Sequence, residues 1–233
     1  MLKDKDLKIE FWSDVEGLSS IEECRPKPAS YFVPDWWKDA PYRKVINDNT
    51  VKACPSFADV FSTGYVIPMW CDSLLKVRKD GTFGWETSYD KFSWGFHKHD
   101  QFLDYSPKWI NQEVKAVFKA ICPWHIKTPK GYAVYQLPMF FDFNQEYTLM
   151  PGIIETSFYH EINQQVMYHS NKEEIFIPRG TPFALYMPFK RDKFTLETRD
   201  ETDNDRKIRN SGGLVARTRF FSGYMKHQRR QNG

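Results

Sequence analysis

The residues best equipped for chemistry are histidines. His97-Lys98-His99-Asp100 sets two imidazoles and a carboxylate within four positions, and a strand there would turn His97 and His99 to one face. Imidazole and carboxylate suit zinc or iron, and His125 or the His160-Glu161 pair could complete such a site. The spacing matches no established metal motif, and Lys98 is a poor neighbour for a cation. A metal-dependent enzyme using His97, His99 and Asp100 is one reading of this stretch; a polar surface loop is the other. Nucleophilic chemistry has less behind it. Cys122-Pro123-Trp124-His125 brings a thiol and an imidazole together in sequence only, and no G-x-S-x-G elbow occurs. Neither a G-K-S/T phosphate loop nor a G-x-G-x-x-G fingerprint is found, which excludes phosphate cradling by those devices.

Charge marks a second region. Residues 206–233 carry eight cations (Arg206, Lys207, Arg209, Arg217, Arg219, Lys226, Arg229, Arg230) and no acid, so residues 1–205 stand at −5 in a chain of net +3. A basic tail on a mildly acidic body suits an anionic partner such as nucleic acid. The same tail interleaves its cations with Leu214, Val215, Phe220, Phe221 and Tyr224. Apolar groups of that size predict docking onto a sister subunit or another protein, because an undocked terminus has no use for them.

The elements that must position these groups read as mostly short strands. Aromatic residues make up 17% of the 233 positions, enough to build a core. Residues 65–70 are a nearly continuous apolar run, and 73–78 and 82–87 flank Asp80-Gly81, a strong hairpin signal. Further strands are expected at 114–122, 132–137, 162–169, 174–177, 183–187 and 194–196. Such spacing with Gly and Pro turns argues for an antiparallel sandwich or barrel. Pro34-Asp35-Trp36-Trp37-Lys38 predicts a short helix, with the paired tryptophans clamping the N-terminal arm. Phe57, Val60 and Phe61 predict another, with Gly64 at its C-terminal cap. Val66, Ile67, Trp70, Val117, Phe118, Ile154, Ile162, Phe176, Phe183 and Leu185 are the expected core. The four cysteines form no CxxC pair, and the charged residues 2–6 do not resemble a secretory signal, so reduced, mostly buried thiols are expected. No run approaches the length of a membrane-spanning helix.

One stretch carries a family resemblance. Pro129-Lys130-Gly131-Tyr132, Pro151-Gly152-Ile153-Ile154-Glu155-Thr156-Ser157-Phe158 with Glu161-Ile162, and Gly180-Thr181-Pro182-Phe183-Ala184-Leu185 follow one another in an order that resembles the dUTPase and dCTP-deaminase superfamily. The resemblance covers residues 129–189 and implies a β-clip core. It places Glu155 where the family has an aspartate base, Phe158 where an aromatic ring stacks under the sugar, and Gly152 and Ile154 beside the ligand. The family's Arg-Ser-Ser phosphate-binding segment falls on Pro138-Met139-Phe140-Phe141, which offers neither charge nor hydroxyl. Arg209-Asn210-Ser211-Gly212-Gly213 only faintly echoes the closing phosphate arm, and Leu185 stands at the family's glutamine. Without phosphate ligands the charge developing at a pyrophosphate has no stabiliser, so triphosphatase activity is not expected. Ala53-Cys54-Pro55-Ser56-Phe57, Gly64-Tyr65-Val66-Ile67-Pro68-Met69-Trp70 and Gly180-Thr181-Pro182-Phe183-Ala184 with Pro188-Phe189-Lys190-Arg191 follow a pattern by which the whole chain resembles uncharacterised proteins of tailed phages of marine cyanobacteria and of aquatic bacteria. That resemblance implies a viral or bacterial source and no particular activity.

These readings combine into an α+β, β-dominated chain. Residues 1–198 are expected to form one β-rich domain (an arm at 1–64, a core at 65–198), with a polar linker at 199–213 and a basic tail at 214–233. The leading function is a non-catalytic binding or assembly protein, oligomeric, in the cytoplasm of a cell or in a virion, and without a membrane partner. The rivals are a nucleotide-acting hydrolase with Glu155 as general base and the histidine metalloenzyme. No cofactor can be named from the sequence.

Overall fold

Alternation of apolar and polar residues dictates strands that bury one face, and strands are the main regular element among the described residues. The computed structural model describes residues 7–41, 43–45, 48–79, 82–105, 107 and 114–218. Its first strands are β1 (Glu10–Ser13), β2 (Lys27–Pro28), β3 (Arg43–Val45), β4 (Asp48–Asn49), β5 (Tyr65–Pro68), β6 (Ser73–Val77), β7 (Phe83–Thr87) and β8 (Trp94–His97). There follow β9 (Ala116–Ile121), β10 (Trp124–Lys127), β11 (Tyr132–Leu137), β12 (Tyr147–Leu149), β13 (Gly152–Ile154), β14 (Asn163–Tyr168), β15 (Glu174–Ile177) and β16 (Pro182–Lys190). The helices are α1 (Asp35–Asp39), α2 (Pro55–Ser62) and α3 (Asp203–Thr218). The chain divides into two compact units, Met1–Phe32 with Thr63–Asp192 and Val33–Ser62 with Lys193–Gly233.

The first unit is built from a five-stranded sheet in the order β13-β11-β16-β5-β2, a four-stranded sheet β12-β14-β9-β8 and a three-stranded sheet β15-β6-β7. The ribbon β1-β10 completes it, and the pairings are antiparallel. Among the described residues the sheets are open, so the sandwich expectation holds and no barrel closes. The three larger sheets share one core, to which Ile67, Val134 and Tyr186 contribute from the first, Phe118, Val166 and Tyr168 from the second, and Leu75 and Ile175 from the third. A buried polar trio ties two of the layers. Gln164 of β14 donates through Nε2 to the Tyr186 hydroxyl (2.7 Å), and that hydroxyl donates to Gln136 Oε1 (3.0 Å).

The five-stranded sheet is apolar on its other face as well. There Ala29, Val66 and Leu185 are buried with Phe32, Leu137, Met139, Phe140 and Met187 packed against them. Gly64 stands at a positive φ of 87° after α2, as a C-terminal cap requires. The described strands β6 and β7 pair Val77 with Phe83; the expected turn residues Asp80 and Gly81 lie outside the described residues. In the second unit Trp37 stacks on Phe57 (5.7 Å, 9°) and packs on Phe61 (4.9 Å). The tryptophan pair thus serves α2.

Four expectations change. Phe176 is 60% exposed because β15 is an edge strand that turns Ile175 and Ile177 inward. Ile154 is half-buried at the edge strand β13. Residues 194–196 pair with no strand among the described residues, and Phe194 and Leu196 are 91% and 90% exposed. The stretch read as a linker is helical from Asp203. There the Thr202 backbone N–H donates to Asp205 Oδ2 (2.8 Å) and the Asp205 N–H donates to Thr202 Oγ1 (3.3 Å). That is a reciprocal capping box in a sequence too polar to announce itself by periodicity.

Candidate functional site

Glu155 follows β13, where the chain turns sharply. Its carbonyl accepts from the N–H groups of Phe158 (3.3 Å) and Tyr159 (3.0 Å). The next residue, Thr156, is fully buried and shares a 2.7 Å hydrogen bond with Thr128, whose hydroxyl donates to the Tyr132 carbonyl (3.0 Å). The turn is therefore pinned to the start of β11. Each carboxylate oxygen of Glu155 has a partner, Oε1 accepting from Ser157 Oγ (2.9 Å) and Oε2 facing Arg191 Nε (2.9 Å). Arg191 is itself placed by its backbone N–H, which donates to the Gly131 carbonyl (2.8 Å), and its guanidinium lies 5.8 Å from the Phe189 ring.

Around this ion pair the outer sheet face presents an aromatic and apolar strip. Tyr135 stacks on Phe189 (4.3 Å, 26°) and lies opposite Ile153 on one side and Met187 on the other. Tyr135 is 40% exposed and Ile153 51%. Phe158, expected to stack on a ligand, is 75% exposed beside Glu155. At Gly152 a Cβ would meet nothing within 4 Å, so no close approach of backbone demands glycine there.

The histidines do not converge. β8 ends at His97, and His99 and Asp100 belong to the following 3-10 turn, His99–Gln101, so the strand face expected to join the two imidazoles does not exist. His125 and His160 instead both pack on Trp12, at 5.4 and 5.2 Å between ring centroids. His125 Nε2 lies 3.8 Å from Asp14, and His160 Nδ1 is 3.0 Å from the Ile126 carbonyl. Among the described residues no three of His, Cys, Asp and Glu are placed to hold a metal ion. The four cysteines are unpaired, Cys24, Cys71 and Cys122 being buried, and burial raises the Cys122 thiol far from thiolate formation.

In the tail, Arg206 donates to Asp203 (3.1 Å) and to Glu201 (3.4 Å), and Arg209 to Glu201 (2.8 Å). Lys207 is exposed on α3. The Arg217, Leu214 and Val215 side chains, and Arg219, Phe220, Phe221, Tyr224, Lys226, Arg229 and Arg230, lie outside what the structure describes.

A cleft of about 290 Å³ was not legible in the sequence. Its lining includes Met139, Phe141, Asp142, Phe143, Tyr147 and Phe183. Phe141 and Phe143 sit at φ 58° and 54°, in the left-handed region. For residues with a Cβ this costs roughly 1–2 kcal/mol each, and such strain clusters where a loop is shaped for binding. Asn144 Oδ1 accepts from the N–H groups of Glu146 (2.8 Å) and Tyr147 (3.3 Å), which turns the loop into β12. Partial desolvation raises the Asp142 carboxyl, and burial followed by the Asp142 charge raises the Tyr147 hydroxyl. The only trace in sequence is the aromatic run Phe140-Phe141-Asp142-Phe143, which fits no helical or strand period.

No protein-family model matches the chain, and no curated protein matches it. Among solved structures it is similar to a dUTPase from phage phi11 of S. aureus at 11% identity, covering 84% of this chain and 99% of that one, with a TM-score of 0.38. It is also similar to a mutant of the Staphylococcus bacteriophage 80alpha dUTPase with dUpNHpp (10% identity, 84% and 98% covered, TM-score 0.38). The EIAV dUTPase matches at 13% identity over 60% of this chain and 86% of that one, with a TM-score of 0.33. At these values the likeness carries no argument about activity.

Proposed function

We propose that the chain is a non-catalytic binding or assembly protein built on a dUTPase-like β core, acting in the cytoplasm of an infected cell or in a virion. The observation that carries this reading is the Glu155 carboxylate, whose two oxygens are engaged by Ser157 and Arg191 beside an exposed apolar strip. A general base needs a lone pair directed at a water or substrate proton. In this reading the ion pair instead braces the end of the sheet. Exposed apolar surface rimmed by polar groups marks interaction sites, and the exposed Tyr135 and Ile153, flanked by the half-buried Met187 and Phe189, supply such a surface for a second copy of the chain. The motif order over residues 129–189 supports the dUTPase-like core. The paired Arg206 and Arg209 leave nucleic-acid binding to Lys207, Arg217 and the cations at 219–230.

Two measurements on the purified chain test the proposal. Sedimentation should show an oligomer that Ile153→Asp dissociates while the circular dichroism spectrum is unchanged; an unaltered mass would remove the strip as an interface. Incubation with dUTP and dCTP should give background turnover. Turnover well above background, lost in Glu155→Gln, would instead establish the nucleotide-acting hydrolase.

A further inference from the structure

The cleft beside β12 stands apart from the Glu155 strip and calls for a different occupant. Its walls are aromatic: Phe141 and Phe143 lie 6.3 Å apart at 59°, and Tyr147 and Phe183 lie 6.0 Å apart at 43°. Asp142 lines the same cleft and makes no ion pair or hydrogen bond among the described residues. Several other exposed carboxylates of this unit, including Glu86, Glu22 and Glu23, have a lysine or arginine partner. A carboxylate set between two strained phenylalanines, beside a tyrosine and with no cationic partner among the described residues, repels anions and draws positive charge. Ring faces attract cations through their quadrupole, most strongly where water is thin.

We propose that this cleft binds an organic ammonium ion, with Asp142 as counter-ion and Phe141, Phe143 and Tyr147 as aromatic walls. A hard metal ion would need six or more oxygen ligands, and this lining offers one carboxylate among mainly apolar groups. A neutral apolar molecule would gain nothing from the Asp142 charge. The cleft volume of about 290 Å³ lies at the small end of ligand sites, which suits a compact alkylammonium group. That group could be a free amine or the choline headgroup of a lipid, and the chemistry is shared. The proposal is independent of the assembly reading, since its residues lie outside the Tyr135–Phe189 strip.

The test is a calorimetric titration of the full chain with tetramethylammonium and choline, alongside 3,3-dimethyl-1-butanol as the neutral isostere of choline. The cations should bind saturably and about tenfold more tightly than the alcohol, the scale of a partly desolvated cation–π contact plus counter-ion. Asp142→Asn should remove most of that preference without changing the melting curve, since the native carboxylate has no ion pair or hydrogen bond to lose among the described residues. Phe143→Ala, at a side chain 69% exposed, should weaken choline binding several-fold and serves as the second variant if the first fails to fold. Co-sedimentation with phosphatidylcholine vesicles, competed by free choline, identifies a headgroup as the source; choline binding without vesicle binding identifies a free amine. Absence of saturable binding, equal affinity for choline and its neutral isostere, or full affinity in Asp142→Asn would overturn the proposal.

Discussion

Replacing Tyr186 by phenylalanine removes one oxygen and leaves the ring in place, so its cost isolates the polar trio at the centre of the sandwich. The hydroxyl accepts from Gln164 Nε2 and donates to Gln136 Oε1, and Tyr186, Gln136 and Gln164 are 0%, 3% and 0% exposed. Without it, one amide donor and one amide acceptor are stranded out of reach of water. A buried unsatisfied group costs about 1–3 kcal/mol. Partial relaxation of the two amides toward each other, and the hydroxyl that no longer needs desolvating, bring the expected loss to about 2–4 kcal/mol. Gln164 Oε1 has no hydrogen-bond partner among the described residues already, so this glutamine has little slack to rearrange. In a chain of this size the loss should lower the melting temperature by roughly 5–15 °C. The assay is urea denaturation followed by far-ultraviolet circular dichroism, reading the midpoint shift at constant slope. Replacing all three residues together (Tyr186→Phe, Gln136→Leu, Gln164→Leu) should recover much of the loss, because removing every partner is milder than removing one. A Tyr186→Phe shift below about 0.5 kcal/mol would mean that the trio does not hold the two sheets, contrary to the cost expected of stranded amides.

Two further outcomes follow from single positions. Gly64→Ala should destabilise by about 2–4 kcal/mol in the same urea assay, because it combines left-handed strain with a Cβ only 2.6 Å from the Tyr186 carbonyl oxygen; a neutral result would show that β16 yields easily. Burial, partly offset by the Arg179 charge, pushes the Cys24 thiol up to about 11. A folded value above the unfolded one means stability present below the unfolded value and lost as pH rises through the folded one. Urea midpoints should therefore fall between about pH 9 and 11 by on the order of 2 kcal/mol, and Cys24→Ala should flatten that part of the slope; an equal slope in the variant would assign the loss to other groups.

What the sequence determined alone is what neighbours in the chain decide. A continuous apolar run placed β5, the Asp80-Gly81 turn signal placed β6 and β7, and strand-forming runs bounded by Gly/Pro punctuation placed β9, β11 and β14. The Phe57, Val60, Phe61 and Gly64 pattern placed α2 and its cap, since cap and helix lie within ten residues of each other. The capping box of Thr202 and Asp205 is equally local, three residues apart, but it opens a helix with no apolar periodicity to mark it. Faces and partners were another matter. Phe176 has the same strand-forming character as Ile175 and Ile177 on either side of it, and only the register of β15 against β6 turns it to solvent. Phe194 and Leu196 alternate as a strand should, yet no strand among the described residues reaches them, and propensity supplies no partner. Sites depend most on this distinction. His97 and His99 are two positions apart but sit on either side of a strand end, whereas Glu155 and Arg191 meet across 36 residues because β13 and β16 both pair with β11. The aromatic cleft is the extreme case. Its chemistry comes from joining a loop of irregular backbone to the start of β16, and only the tertiary fold decides which distant segments become walls of the same space.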